Sequence, residues 1–212
     1  MNSIYKKIGR GIVFPEFKGG LLYMHKTKMN NICLPKSHSR YTEAIENILS
    51  NLKDRDNVCY ITVDEKSVCN ETHRRAGIHV DFNWFESLGG GKHGHKRMIG
   101  SHNGGGSHVP SPKPTHSGGG THSSFEEFNK NGGMLLVSNH PGCKVYKGEF
   151  QGEIDNRGDC SGVDISGLQS EVMVPNDVYF INALGIHEPL VITEKVNRSL
   201  IRINLHPEYI LK

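Results

Sequence analysis

Short runs rich in β-branched and aromatic residues, cut apart by turn formers, fill most of the chain, and helical periodicity occurs in one place only. The runs cover residues 58–63, 77–84, 134–138, 143–146, 171–174, 178–182, 186–193 and 199–205. Between them stand Pro141-Gly142, Arg157-Gly158, Pro175-Asn176-Asp177 and the polar stretch 195–197, residue types that preset turn dihedrals or bond back to the backbone. Helical spacing is confined to 41–52, where Ala44, Ile45, Ile48, Leu49 and Leu52 recur at three- and four-residue steps and Thr42 stands ready to cap the start. Many short strands with one good helix predict an antiparallel sandwich or barrel, the helix covering an outer face of the sheet. Residues 1–39 read as an extended arm or short strands, with apolar pieces at 11–14 and 21–24.

The 212 residues fit one domain, 1–212, with a single interruption. From 88 to 124 the composition collapses into Gly, His, Ser and Pro, with triple glycines at 89–91, 104–106 and 118–120. A stretch without periodicity or apolar content predicts a flexible Gly/His-rich insertion. The apolar fraction of 35%, against about 45–50% for average globular chains, fits a core diluted by such polar loops. His93, His95, His102, His108, His116 and His122 are spaced irregularly among the glycines. They suit an adventitious metal-binding tract or a lid better than a fixed site, which needs surrounding groups to hold its ligands.

A net charge of +3 is a mild basic excess that favours an anionic partner without demanding one, so nucleic acid stays open. Five cysteines, odd in number and without a Cys-x-x-Cys pair, argue against a zinc ribbon and a complete disulfide framework and predict free thiols. The N-terminal residues hold no apolar run of signal-peptide length, and no segment reaches the length of a membrane span. A soluble cytoplasmic protein is the expectation.

Within the run 77–84, Ile78, Val80 and Phe82 alternate with His79, Asp81 and Asn83. On a strand, residues two apart project to the same face, so His79 and Asp81 can grip one ion together. Far downstream, His187 opens another β-rich run, and Arg198 follows eleven residues later, beyond the turn at 195–197. A hairpin of that size sets the arginine on the strand beside the one carrying the histidine. Two imidazoles and one carboxylate on one side of an ion leave its other side open, the arrangement of non-haem Fe(II) oxygenases. An arginine nearby offers a permanent charge and a forked donor for a carboxylate. His140, in Ser138-Asn139-His140-Pro141-Gly142, is the rival second histidine, but the arginine that follows it, Arg157, is seventeen residues away in a turn.

Within RRAGIHVDFNW and YFINALGIHEPLVITEKVNRSLIRINL, the residues His79-x-Asp81, His187 and Arg198 give the chain a His-x-Asp … His … Arg order. In this it resembles the Fe(II)/2-oxoglutarate-dependent dioxygenase superfamily over residues 58–205, apart from the insertion. The resemblance implies a mainly β, double-stranded β-helix fold of the jelly-roll or cupin-like kind, with one or two flanking helices. It implies that His79, Asp81 and His187 bind Fe(II) and that Arg198 pairs with the 5-carboxylate of 2-oxoglutarate. It also makes Arg202 and Asn182, and less directly Tyr179, candidates for contacting the co-substrate. Relatives in the taurine-dioxygenase branch use a second arginine such as Arg202 for an anionic substrate. Arg74 and Arg75 would add positive charge at the mouth of the site. With O2, the implied reaction is hydroxylation of a C–H bond of a small-molecule or protein side-chain substrate, with release of succinate and CO2. Two alternatives remain: a cupin-like metal protein acting as isomerase or hydrolase, and a non-catalytic β-sandwich binding module. Arg198 separates them, because a dicarboxylate gives it a clear task.

Overall fold

The structure, a computed structural model, describes residues 1–82 and 131–211. The insertion at 88–124, its six histidines and the end of the run 77–84 lie outside the described residues. In chain order the strands are β1 (Asn2–Ser3), β2 (Tyr5–Gly9), β3 (Gly20–Lys28), β4 (Val58–Val68), β5 (Glu71–Thr72), β6 (Gly133–Ser138), β7 (Cys143–Glu149), β8 (Gly152–Glu153), β9 (Gly162–Val163), β10 (Gln169–Val172), β11 (Val178–Ile181), β12 (His187–Pro189), β13 (Val191–Ile192) and β14 (Val196–Leu205). The pairings are antiparallel throughout these elements. The fold is mainly β, as the turn-punctuated sequence predicts.

Six strands form the larger sheet in the order β2-β11-β6-β14-β4-β3. A second sheet is built around β7, with β10 along one edge and β12 and β1 sharing the other. Alternation sorts the side chains of the larger sheet into two cores. Ile61, Val63, Leu135, Val137, Ile201 and Ile203 point to the outer face, where Ile45, Ile48 and Leu49 of the helix cover them. Met134, Leu136, Tyr179, Ile181 and Leu200 point inward and meet Cys143, Val145 and Met173 of the second sheet. Arg198 and Arg202 share the inward parity of Leu200, so both guanidinium groups are carried into the space between the sheets and are buried.

The helix α1 runs Thr42–Leu49 and is entered directly from a 3-10 helix, Lys36–Tyr41. Thr42 therefore lies inside the helical path, and no side chain caps the start, contrary to the expected cap. An ionic tie holds this junction to the sheet instead. Glu65, buried on β4, accepts hydrogen bonds from Tyr41 Oη at 2.6 Å and from Arg40 Nη2. In the N-terminal arm, the expected strand at 21–24 is part of the longer β3, while 11–14 is irregular.

Two other expectations change. The described part of the run, 77–82, is not a regular strand: within it His79 alone is bridged, to His187 on one side and Asp159 on the other. Gly77 at φ +91° and Phe82 at φ +49° curl the backbone on either side of it. Arg198 is also not on a strand beside that of His187, since β14 pairs with β4 and β6 while β12 pairs with β7. Residues 190–195 cross from one sheet to the other, so the arginine faces the histidine across the sandwich.

All five cysteines are free. No helix among the described residues is long and apolar enough to cross a membrane. Removing the Tyr41 hydroxyl withdraws one donor from a buried carboxylate, so Tyr41→Phe should cost about 1–3 kcal/mol in chemical denaturation. An unchanged midpoint would show that Arg40 and the Lys18 backbone N–H satisfy Glu65 without the hydroxyl.

Candidate metal centre

His79 and His187 are opposed as a hydrogen-bonded pair, each N–H donating to the other's carbonyl at 2.9 Å. Residues paired in this way project to the same face, which sets the two rings at a centroid separation of 4.3 Å. Asp81, two residues beyond His79, brings its carboxylate to the same point, with Oδ2 lying 3.7 Å from His187 Nε2. One ligand atom from each of the three lies within 4.8 Å of the others, a group that can hold a metal ion.

The ring orientations are fixed by the same device twice. His79 Nδ1 lies 2.8 Å from the carbonyl of Gly77, and His187 Nδ1 lies 3.0 Å from that of Gly185. A carbonyl only accepts, so Nδ1 carries the proton in each ring and Nε2 keeps its lone pair for an ion. The sequence repeats the tripeptide Gly-Ile-His at 77–79 and 185–187. Ile78 and Ile186 both pack into one apolar cluster with Val80, Tyr146 and Leu184, so each isoleucine anchors the backbone that its histidine leaves on the opposite face. Gly77 supplies the left-handed backbone, and at Gly185 a Cβ would sit 2.2 Å from Ile181 Cγ2.

Electrostatics favour the metal-ready protonation states. Burial, reinforced by the neighbouring His187, pushes His79 down to about 3. Burial also lowers His187, against the pull of Asp81. Asp81 is held well below the usual carboxylate range: burial works to raise it, but the Arg202 guanidinium, the largest opposing influence, prevails. Two neutral imidazoles and one carboxylate are thus present at neutral pH without any proton having to leave.

The remaining candidates divide. Arg202 joins the cluster through Asp81, its Nη1 donating to Oδ2 at 2.8 Å. Arg198 is 2% exposed, its Nε has no hydrogen-bond partner among the described residues, and it lines a small cavity with Ser138, Gly142, Cys143 and Met173. Burial lowers its pKa to about 10, still charged at neutral pH. Asn182 lies outside the site: its amide donates to Asn2 O and its Oδ1 accepts from Ile4 N, which clamps the N-terminal arm. Tyr179 accepts from Val174 N through its hydroxyl. Arg74 pairs with Asp64, and Arg75 donates to Arg157 O. His140 stands apart from the triad, its Nδ1 against Pro141 O and its Nε2 3.9 Å from Glu194.

Sequence reading missed the glycine carbonyls, although the repeated Gly-Ile-His was their visible signal. It also missed Met24, whose Sδ lies 3.9 Å from Arg202 Nη2. No family profile, curated protein or solved structure matches the chain.

With both imidazoles already neutral, Co(II) affinity should hold from about pH 7.5 to about pH 6, where an ordinary histidine pair already loses ligands to protons. Calorimetric titration across that range checks this, and a steady decline below about pH 7 would contradict it. His187→Ala should abolish stoichiometric binding at the site.

Proposed function

We propose that the protein is an Fe(II)- and 2-oxoglutarate-dependent oxygenase. The observation that carries this reading is the buried Arg198 guanidinium, left without a hydrogen-bond partner at Nε among the described residues, on the inward face of β14 that also carries Arg202 to Asp81. Burying an unpaired charge is costly unless a ligand later satisfies it. A metal-only isomerase or hydrolase leaves Arg198 without a task, and so does an inert sandwich.

Spacing supports a dicarboxylate. Arg198 borders Cys143, and His187 pairs with Val145, two residues along β7, roughly 7 Å. That step along β7 is of the order of a five-carbon dicarboxylate's length. Gly142 leaves space against the Arg198 guanidinium, since a Cβ there would approach Cζ to 3.1 Å.

Strand order also supports a double-stranded β-helix. From β4 the chain passes to the segment at His79, back to β6, over to β7 and β10, back to β11, over to β12 and back to β14. The successive visits alternate two antiparallel sheets, with the ion ligands on the second and both arginines on the first.

His79, Asp81 and His187 fit Fe(II), an ion suited by two imidazoles and one carboxylate on a single face. When bound, the ion and 2-oxoglutarate would supply oxygen-dependent oxidation of a substrate C–H bond, with succinate and CO2 as co-products. The protein's own part is positioning: the glycine carbonyls aim both imidazoles, Arg202 holds the carboxylate, Arg198 receives the far carboxylate of the co-substrate, and the apolar walls around it exclude water. A reducing cytoplasm, which keeps iron and the free thiols reduced, is the compartment this chemistry implies.

Purified protein with Fe(II) and ascorbate should convert 2-oxoglutarate to succinate, and Asp81→Ala should not. Arg198→Ala should raise the KM for 2-oxoglutarate by roughly 30-fold or more, the loss of a buried charge pair costing about 2 kcal/mol or more. Succinate formation that is absent in the wild type, or a KM untouched by Arg198→Ala, would refute the assignment.

A further inference from the structure

We propose that Arg202 is a positioning residue for the metal ligand Asp81, and that Met24, held in a bulge of β3, sets Arg202 for that task. The proposal rests on the triad being a metal site.

Asp81 needs an external brace. His79 is the last bridged residue before it, and Phe82 turns away immediately after it in the left-handed region. Val80 N–H, one residue earlier, donates to Gly158 O at 2.8 Å, so the backbone is held up to Asp81 and the carboxylate's own orientation is left to its side-chain contacts. The bond from Arg202 Nη1 to Oδ2, 2.8 Å long, fixes its plane. A carboxylate oxygen carries two lone pairs, so Oδ2 can accept from Arg202 and still face His187 Nε2 at 3.7 Å.

Arg202 is itself well anchored. It lies on a strand paired on both edges, opposite Thr62 of β4 and Leu136 of β6, and its side chain is buried. Its other terminal nitrogen meets Met24 Sδ at 3.9 Å. Met24 stands where the register of β3 against β4 shifts between Leu22 and His25, at φ +49°, with its N–H donating to Thr62 Oγ1 at 3.2 Å. A non-glycine residue in that region is strained and persists only where its surroundings impose it. Here the bulge turns a methionine inward against the arginine. Among the described residues the Arg202 Nε has no hydrogen-bond partner, a cost that stability alone does not explain. Arg202 is thus occupied with Asp81 and is not the free anion receptor that its spacing from Arg198 suggests.

Co(II) added to the metal-free full-length protein is the probe, read by calorimetry and by the visible ligand-field spectrum. Arg202→Met should weaken Co(II) binding by about 10- to 100-fold and change the spectrum. Arg202→Lys should restore part of the affinity with a spectrum still altered, because one ammonium replaces the fork. Met24→Ala should shift affinity in the same direction by a smaller factor. Wild-type affinity and spectrum in Arg202→Met would overturn the proposal. If that variant does not fold, Arg202→Lys and Met24→Ala decide: a spectrum unchanged in both overturns it equally. A wild-type protein that gives no cobalt spectrum would refute the metal site itself, an outcome distinct from a wild-type site indifferent to residue 202.

Discussion

The reciprocal pair of backbone hydrogen bonds between His79 and His187 is the constraint on which the site depends. It joins a curled segment to the edge of β12 and puts two imidazoles on one face. Without it, a histidine 108 residues further along the chain has no fixed relation to the first. The isoleucines before them drive the opposite face into a shared apolar cluster, so burial of Ile78 and Ile186 stabilises the same register that aligns the ligands. Packing and ligand geometry thereby depend on one pairing.

The two inward arginines of β14 divide the electrostatic work. Arg202 is neutralised by Asp81, and in turn keeps that carboxyl ionised in a setting where burial alone would raise it. Arg198 is left charged, buried and, among the described residues, without a hydrogen bond at Nε. A fold shaped for stability alone would exchange such a group for an apolar one. That arginine is the basis of the proposed anion site.

Much of this was legible in the sequence. The turn-punctuated β-rich runs gave the fold class, the 3.6-residue spacing of Ile45, Ile48 and Leu49 gave the helix and its buried face, and the two-residue step from His79 to Asp81 gave the shared direction of those side chains. Long-range matters were not legible. Whether β14 lies beside β12 or across from it depends on how residues 190–195 cross between sheets, and no local pattern carries that. Asn182 is polar and close to His187 in sequence, yet its carboxamide is engaged by the N-terminal arm, a contact spanning nearly the whole chain. Met24 is hidden for a similar reason, since a bulge reverses the face that alternation would assign. The Gly-Ile-His repeat was readable in principle, but its meaning appears only when the carbonyls are seen against the rings.

The most direct measurement is an anomalous-difference map from crystals of the full chain soaked with Mn(II), a redox-stable ion of similar ligand preference to Fe(II). The account predicts one strong peak bounded by Nε2 of His79, Nε2 of His187 and the Asp81 carboxylate, with Arg202 still bonded to that carboxylate. A peak confined to histidines of the 88–124 segment, or rings of residues 79 and 187 facing apart, would contradict it.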